Sequence, residues 1–220
     1  FVRYDTDMNI CFGSEAKSLT YFEFGQIVEV PPAHYVVFDL KNKTSCFVKY
    51  YTLPLHSTVK SIDYVSSKLK QLLEAAVEKR MMSDREIGCL LSGGLDSSVI
   101  ASILQKKSNK PIKTFSIGFS ESTDLKYARK VAEHIGSDHH EIILDYKTAI
   151  SRIPEVIQQI ETYDITTIRA STGMYLLSEY IKKNFNEVVI FSGEGSDELL
   201  AGYLYFHSAP GDIALFNESR

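Results

Sequence analysis

From residue 87 onward, short apolar runs alternate with longer segments of helical period, and no other feature constrains the fold as tightly. Residues 87–91, 114–119, 140–144 and 188–191 are short runs rich in apolar residues. Strands of that kind are covered on both faces, as in a parallel sheet layered between helices. The intervening stretches 97–107, 124–135, 150–160 and 173–183 read as helices, with Asp124 as a cap and Gly136 as a stop. Upstream, Val65, Leu69, Leu72, Leu73, Ala76 and Val77 form one helical stripe. Residues 1–52 read differently. Alternation at 26–30 is broken by Pro31-Pro32, resumes at 35–38, turns at Lys41-Asn42-Lys43 and returns at 45–50, an antiparallel pattern too slight to fold alone. The expected class is α/β, a parallel twisted sheet flanked by helices and preceded by a short antiparallel β remnant. The expected divisions are 1–52, a linker over 53–61 with Pro54 and His56, and 62–220.

Composition removes several classes. Hydrophobic residues at 44% and charged residues at 24% exclude wholesale disorder. Lys plus Arg number 24 against 28 for Asp plus Glu, a net −4 that argues against broad nucleic-acid binding. No run reaches the ~18 apolar residues of a membrane helix. The opening Phe1-Val2-Arg3-Tyr4-Asp5-Thr6-Asp7 carries acids where a secretory leader is apolar. Cys11, Cys46 and Cys89 are few, odd in number and widely spaced, as expected of buried thiols in a reducing compartment, with the cytoplasm the default location. The first residue is Phe rather than Met and both ends are abrupt, so a piece of a longer protein is expected.

In open parallel sheets, ligands sit beyond the carboxyl ends of the strands, where the strand order reverses. Two loops there carry chemistry. Ser92-Gly93-Gly94-Leu95-Asp96-Ser97-Ser98 lies between a strand and a helix. Paired glycines let successive amides turn toward one point and form an anion nest at a helix amino terminus. Ser92, Ser97 and Ser98 add hydroxyl donors, and Asp96 is suited to hold a divalent cation against bound oxyanions. No Gly-Lys-Ser/Thr follows, so this is not a Walker A loop. The second loop, Ser192-Gly193-Glu194-Gly195-Ser196-Asp197-Glu198, sets three acids in five residues among glycines, a poor stabiliser but a good magnesium and base site. Taken alone, Glu198 reads as an acid suited to a helix dipole. Between the loops, Arg169 offers a rigid fork for a carboxylate, flanked by Thr166 and Thr167. By residue type it reads equally as a structural arginine with capping threonines.

The first string resembles the SGGxDS loop of the PP-loop ATP pyrophosphatases, which cleave ATP between the α and β phosphates. LLSGGLDSS, ETYDITTIRAS and FSGEGSDELLAGYLYFH together closely resemble the glutamine-dependent asparagine synthetases, in order and approximate spacing. Gly13-Ser14-Glu15-Ala16-Lys17-Ser18-Leu19 is similar to a segment near the end of that family's glutaminase domain, so the likeness covers nearly the whole chain. The resemblance implies ATP-dependent amidation of aspartate through β-aspartyl-AMP, releasing AMP and pyrophosphate, with ammonia normally drawn from glutamine and with ATP and Mg²⁺ required. It implies that Ser92, Gly93, Gly94, Asp96, Ser97 and Ser98 bind phosphates and that Asp96 and Asp197 ligate Mg²⁺. It places Leu90 and Ile117 at the adenine, and Ser192 and Gly193 near the ribose and α-phosphate. Thr166, Thr167 and Arg169 would hold aspartate, and Glu194 would be the base that takes a proton as ammonia adds. Neither nucleic acid nor membrane is implied as a partner, and a homodimer is a possible state of the intact enzyme.

The chain also departs from the family. No cysteine stands where an amino-terminal glutaminase nucleophile would be, so no glutamine hydrolysis is expected from these residues. The family's pyrophosphate-binding Lys and later helices lie beyond Arg220, and Ser208 replaces a Lys common in relatives. Two other readings stand beside this one. A tRNA thiolase or β-lactam synthetase would share the first loop, but a thiolase wants basic surface and reactive cysteines. A non-catalytic nucleotide-binding fragment would show an exposed apolar patch. His139-His140 is a weak metal candidate, because adjacent strand residues face opposite sides.

Overall fold

The computed structural model describes residues 1–5, 7, 9–21, 25–52 and 60–218. The chain divides into two units, Phe1–Lys60 and Ser61–Arg220. In the first unit β1 (Val2–Tyr4) lies between β2 (Ile10–Phe12) and β3 (Ile27–Val28), both antiparallel to it. A 3-10 turn at Ala16–Leu19 follows β2. β4 (His34–Asp39) and β5 (Thr44–Lys49) form a separate hairpin whose register runs from His34 opposite Lys49 to Asp39 opposite Thr44. The expected single antiparallel set is therefore two small sheets, because Pro31-Pro32 interrupts the path between β3 and β4 and leaves β3 paired to β1. The hairpin turn is held by Asp39, which accepts from Lys41 N, Asn42 N and Asn42 Nδ2. Most of the expected linker, including Pro54 and His56, lies outside the described residues.

The second unit opens with α1 (Ile62–Arg80), capped by Ser61 accepting from Tyr64 N. Then come β6 (Ile87–Leu90), α2 (Leu95–Lys107), β7 (Lys113–Phe119), α3 (Thr123–Ile135), β8 (Asp138–Leu144), α4 (Tyr146–Ile160), α5 (Ile165–Asn184) and β9 (Val189–Phe191). Two short helices, α6 (Ser196–Leu200) and α7 (Asp212–Glu218), flank a 3-10 turn at Leu204–Ser208. β6 to β9 make one parallel sheet in the order β8-β7-β6-β9. The chain steps outward from β6 through β7 to β8, then returns to the other side of β6 as β9. The strand order therefore reverses between β6 and β9, and the two loops singled out in the sequence follow those two strands.

Period-two alternation along the strands feeds two cores. Cys89, Leu91, Ile112 and Phe191 face Val77 of α1, Ala101 and Leu104 of α2 and Ala128 and Ala132 of α3. On the opposite face Phe115, with Leu90, Ile117, Ile142 and Ile190 around it, packs against Leu177 and Ile181 of α5. The histidines divide the same way. His139 is hydrogen-bonded to Thr114 Oγ1 at 2.9 Å and Ser116 Oγ at 3.2 Å, and burial pushes its pKa down. His140 stacks on Phe115 and lies against Phe185.

Several boundaries move because of local capping. Asp124 is not the cap of α3: Ser122 takes the extended cap conformation and Asp124 sits in the first turn, where its charge suits the helix dipole. Gly136 ends that helix in the left-handed conformation at φ 71°. α4 begins at Tyr146 because Asp145 accepts from Thr148 N. α5 begins at Ile165, well before 173, because Asp164 accepts from both the amide and the hydroxyl of Thr167. The stripe on α1 is buried only toward its end. Val77 is 3% exposed, whereas Val65 and Leu72 remain at 50% and 55%.

The thiols do not share one environment. Cys89 is fully buried and its thiol is pushed up to about 12 by burial, but Cys46 is exposed, since a two-stranded hairpin cannot cover both its faces. A thiol reagent at neutral pH is expected to label Cys46 in the native protein and Cys89 only on unfolding, because the thiolate is the reactive form. Equal labelling rates would mean that β6 is not enclosed.

Candidate functional site

The loop after β6 starts from a glycine that no other residue would replace. Gly93 has φ +83°, and a Cβ there would strike the backbone of α3 at Tyr127 and Ala128. The turn therefore lies tight against α3 and delivers Gly94 as the N-cap of α2. Gly94 has no side chain to accept from the helix, and the first intrahelical bond runs from Ser98 N to Gly94 O at 3.1 Å. The amides of Leu95, Asp96 and Ser97 lie ahead of that bond and form a donor-rich, electropositive end.

Hydroxyls shape this turn from inside. Ser92 Oγ and Ser97 Oγ are 2.9 Å apart, Ser92 N donates to Ser97 Oγ at 3.2 Å, and Gly94 N donates to Ser92 Oγ at 3.3 Å. Ser98 Oγ donates to Gly94 O at 2.6 Å, so that hydroxyl closes the helix turn.

The loop after β9 meets this turn at a second glycine. A Cβ on Gly193 would lie 2.7 Å from Ser97 N and 2.8 Å from Asp96 C, so the two loops approach backbone to backbone. Glu194 N donates to Ser192 Oγ at 3.1 Å, Ser196 Oγ donates to Gly193 O at 3.0 Å, and Gly195 at φ +90° turns the chain into α6. Between the loops is a cleft of about 180 Å³, lined by Leu90, Ser92, Asp96, Ser97, Ser192, Gly193, Glu194, Asp197 and Glu198. Met174 of α5 and Tyr203 close it. Tyr203 Oη donates to Glu198 Oε1 at 2.5 Å, which holds the Glu198 carboxyl below its usual range and pushes the phenol up to about 12.

Ile117 lies one recess away. This apolar hollow of about 190 Å³ shares Leu90, Ser92 and Met174 with the cleft and adds Phe115, Ile117 and Gly173. Pairing of β7 with β6 stops at Phe115, so the end of β7 borders the hollow without a β6 partner. Arg169 lines a third pocket, of about 510 Å³, that joins the hollow through Ile117, Asp124 and Gly173. The cleft lining includes neither Gly93, Gly94 and Ser98 nor Thr166 and Thr167. Thr167 is engaged in capping α5 through Asp164, whose carboxyl is held low, first by the Thr167 amide and then by its hydroxyl.

Met174 and Tyr203 carry no expectation from sequence, and Asp124 carries one only as a helix cap. Helical spacing shows Met174 only in retrospect: Ala170, Gly173, Met174 and Leu177 recur at one face of α5 and all border the hollow.

Residues 68–217 match the family model for asparagine synthase. The chain belongs to the asparagine synthase family. It is 48% identical to the glutamine-hydrolysing asparagine synthetases of Cricetulus griseus and Homo sapiens over 94% of its length, and 45% identical to that of Gallus gallus over 98%. It spans less than half of those relatives, 42% of the first two and 43% of the third. Among solved structures it is similar to the NH3-dependent NAD synthetase from Campylobacter jejuni (TM-score 0.43, 18% identity, 66% of this chain and 62% of that one). The NMN synthetase of Francisella tularensis is similar to the same degree (TM-score 0.42, 18% identity, 66% and 60%). The cleft between the two loops depends on the approach at Gly193. Gly193→Ala is expected to lower stability by about 1–3 kcal/mol, as other insertions into packed contacts do, read as a shift of the urea midpoint. An unchanged midpoint would mean that the loops part freely.

Proposed function

We propose that this chain carries the synthetase half-reactions of an asparagine synthetase. The aspartate side-chain carboxylate attacks the α-phosphate of ATP, giving β-aspartyl-AMP and pyrophosphate. Ammonia then attacks the acyl carbon, AMP leaves, and a proton is lost as asparagine forms. The logic is chemical. A carboxylate resists attack by ammonia, and adenylation converts its oxygen into a leaving group. The observation that carries the reading is the meeting, within one cleft, of the uncapped start of α2, which carries Asp96, with Glu194 and Asp197 from the loop after β9.

That meeting also tests the fit of a cation. Amides ahead of the first helical bond suit phosphate oxygens, yet carboxylates beside them would repel a polyphosphate. A divalent cation between the two reconciles them. Among the described residues no group of three or more His, Cys, Asp or Glu is placed to hold a metal alone. Mg²⁺ suits such a site, since it is commonly held by one or two carboxylates together with substrate phosphates. Asp96 and Asp197 would hold it, and when bound it would neutralise charge on the departing pyrophosphate.

The chain's own groups fill the remaining roles. Ser92, Ser97 and the amides after Gly93 and Gly94 bind phosphate, with Ser98 stiffening the turn. Leu90 and Ile117 enclose the adenine, beside the stretch of β7 that β6 leaves uncovered. Ser192 and Gly193 lie along the ribose and α-phosphate. Arg169, with Thr166 and Thr167 at the start of α5, takes the aspartate. Glu194, exposed in the cleft, receives the proton as ammonia adds.

In the same reading, residues 1–52 are the carboxyl-terminal part of a glutaminase β domain, 53–61 a linker and 62–220 the synthetase domain. Ammonia comes from glutamine hydrolysed elsewhere in the intact protein. Cys89 is no substitute nucleophile, because it is buried and its thiol is pushed up to about 12. A second reading, a nucleotide-binding fragment without turnover, is favoured by the exposure of Leu199, Leu204 and Ile213, at 83%, 84% and 80%. Product analysis separates them: with Mg-ATP, aspartate and ammonium, the first reading gives AMP and asparagine and the second gives neither.

Two variants of the intact protein test the assignments. Asp96→Asn is expected to weaken Mg-ATP binding about 10- to 100-fold, the usual effect of disturbing a metal site, and unchanged affinity would remove the metal assignment. Glu194→Gln is expected to retain aspartate-dependent pyrophosphate release while ammonia-dependent asparagine formation falls about 10²–10⁴-fold, the ordinary contribution of a general base. Equal loss of both half-reactions would remove the base assignment.

A further inference from the structure

The cleft has more acids than the proposed cation needs. Asp96, Glu194, Asp197 and Glu198 all line it, and Asp197 and Glu198 are neighbours on the first turn of α6. The segment that returns from α6 treats those two differently. Ala201 adopts the left-handed conformation at φ 53°, and Gly202 N donates to Asp197 O at 3.0 Å. Gly202 then makes room for the Asp197 side chain, because a Cβ at 202 would collide with Asp197 Oδ1. The next residue does the reverse. Tyr203 reaches back and donates to Glu198 Oε1 at 2.5 Å. Its ring is braced by stacking on Tyr205 at 5.5 Å and on the buried Phe206 at 6.4 Å. Tyr203 thus ties Glu198 through its hydroxyl, whereas Gly202 offers Asp197 no side chain to bond.

The number of available carboxylates selects among hard cations. Ca²⁺ takes six to eight oxygen ligands in a flexible shell, whereas Mg²⁺ keeps several waters and needs only one or two carboxylates. We propose that Tyr203 is a specificity-determining positioning residue: it holds Glu198 off the cation position, so that Asp96 and Asp197 are left to the cation while Glu194 serves as the base, and the cleft takes Mg²⁺ in preference to Ca²⁺. This rests on the reading of the cleft as a Mg-ATP site. Loss of the phenol frees Glu198 to swing toward the cation and add the third anionic ligand that Ca²⁺ favours.

The test is equilibrium binding, on the intact protein, of a non-hydrolysable ATP analogue carrying a methylene bridge between the α and β phosphates, titrated calorimetrically with Mg²⁺ or with Ca²⁺ present. Tyr203→Phe, which keeps the ring and its stacking, is expected to lower the Mg-to-Ca preference about tenfold, chiefly by tightening the Ca²⁺ complex. The double variant Tyr203→Phe, Glu198→Gln removes the freed charge and is expected to return the preference to that of the unaltered protein. A preference unmoved by Tyr203→Phe, while Asp96→Asn weakens both complexes, overturns the proposal and leaves the cation site standing. If Asp96→Asn moves neither complex, the cation site itself falls, and the proposal with it.

Discussion

The approach of two backbones at Gly193 is the constraint on which the rest of the site depends. Strand order reverses between β6 and β9, so the loops leaving those strands diverge to opposite faces of the sheet unless something holds their first residues together. At Gly193 nothing larger than hydrogen fits against Asp96 and Ser97. Because that contact is main chain against main chain, it positions the start of α2 and the start of α6 more rigidly than side chains could. Gly93 plays the matching part on the other side, seating the same turn against α3. The donors of one loop and the acids of the other therefore face each other across a gap of molecular size.

Electrostatic balance follows from that geometry. An uncapped helix start and several carboxylates are each unfavourable alone, one for lack of acceptors and the other for mutual repulsion. Neighbouring structure disposes of the surplus by local hydrogen bonds. Ser92 and Ser97 occupy one another, Ser98 turns back to Gly94 O, and Glu198 is taken by Tyr203. What remains facing the cleft is a short row of amides, the paired Ser92 and Ser97 hydroxyls and the acids Asp96, Glu194 and Asp197, the set on which the proposed polyphosphate and cation site rests. The apolar hollow behind it is walled by Leu90, Ile117 and one face of α5.

Much of this was legible in the residues. Continuous apolar strands, helical stripes and a Gly-rich turn after β6 foretold a parallel α/β sheet, and the alternation of Cys89, Leu90 and Leu91 between two cores is what strand periodicity requires. Less legible were the element starts. Asp145 and Asp164 cap α4 and α5 through Thr148 and Thr167, and that pattern extends helices into segments whose apolar period is weak. The first unit misled for a different reason: with strands of two to six residues, pairing partners are decided by distant contacts and not by local alternation. The exposure of Cys46 comes from the same lack of covering layers.

Residue types and spacing by themselves determined the chemistry on offer: glycines and serines for an anion, paired acids for a cation, and a sheet to carry them. Periodicity is a local property, written every two or three to four residues, so it survives without knowledge of the fold. Only the tertiary structure decided which groups share a cleft. It brought Met174 and Tyr203 to the two loops, set Arg169 in an adjoining pocket, and turned Thr167 toward a helix cap. Those outcomes depend on where β9 returns beside β6 and how closely Gly193 lets it come, and a distance between residues about a hundred positions apart in sequence is settled by packing alone.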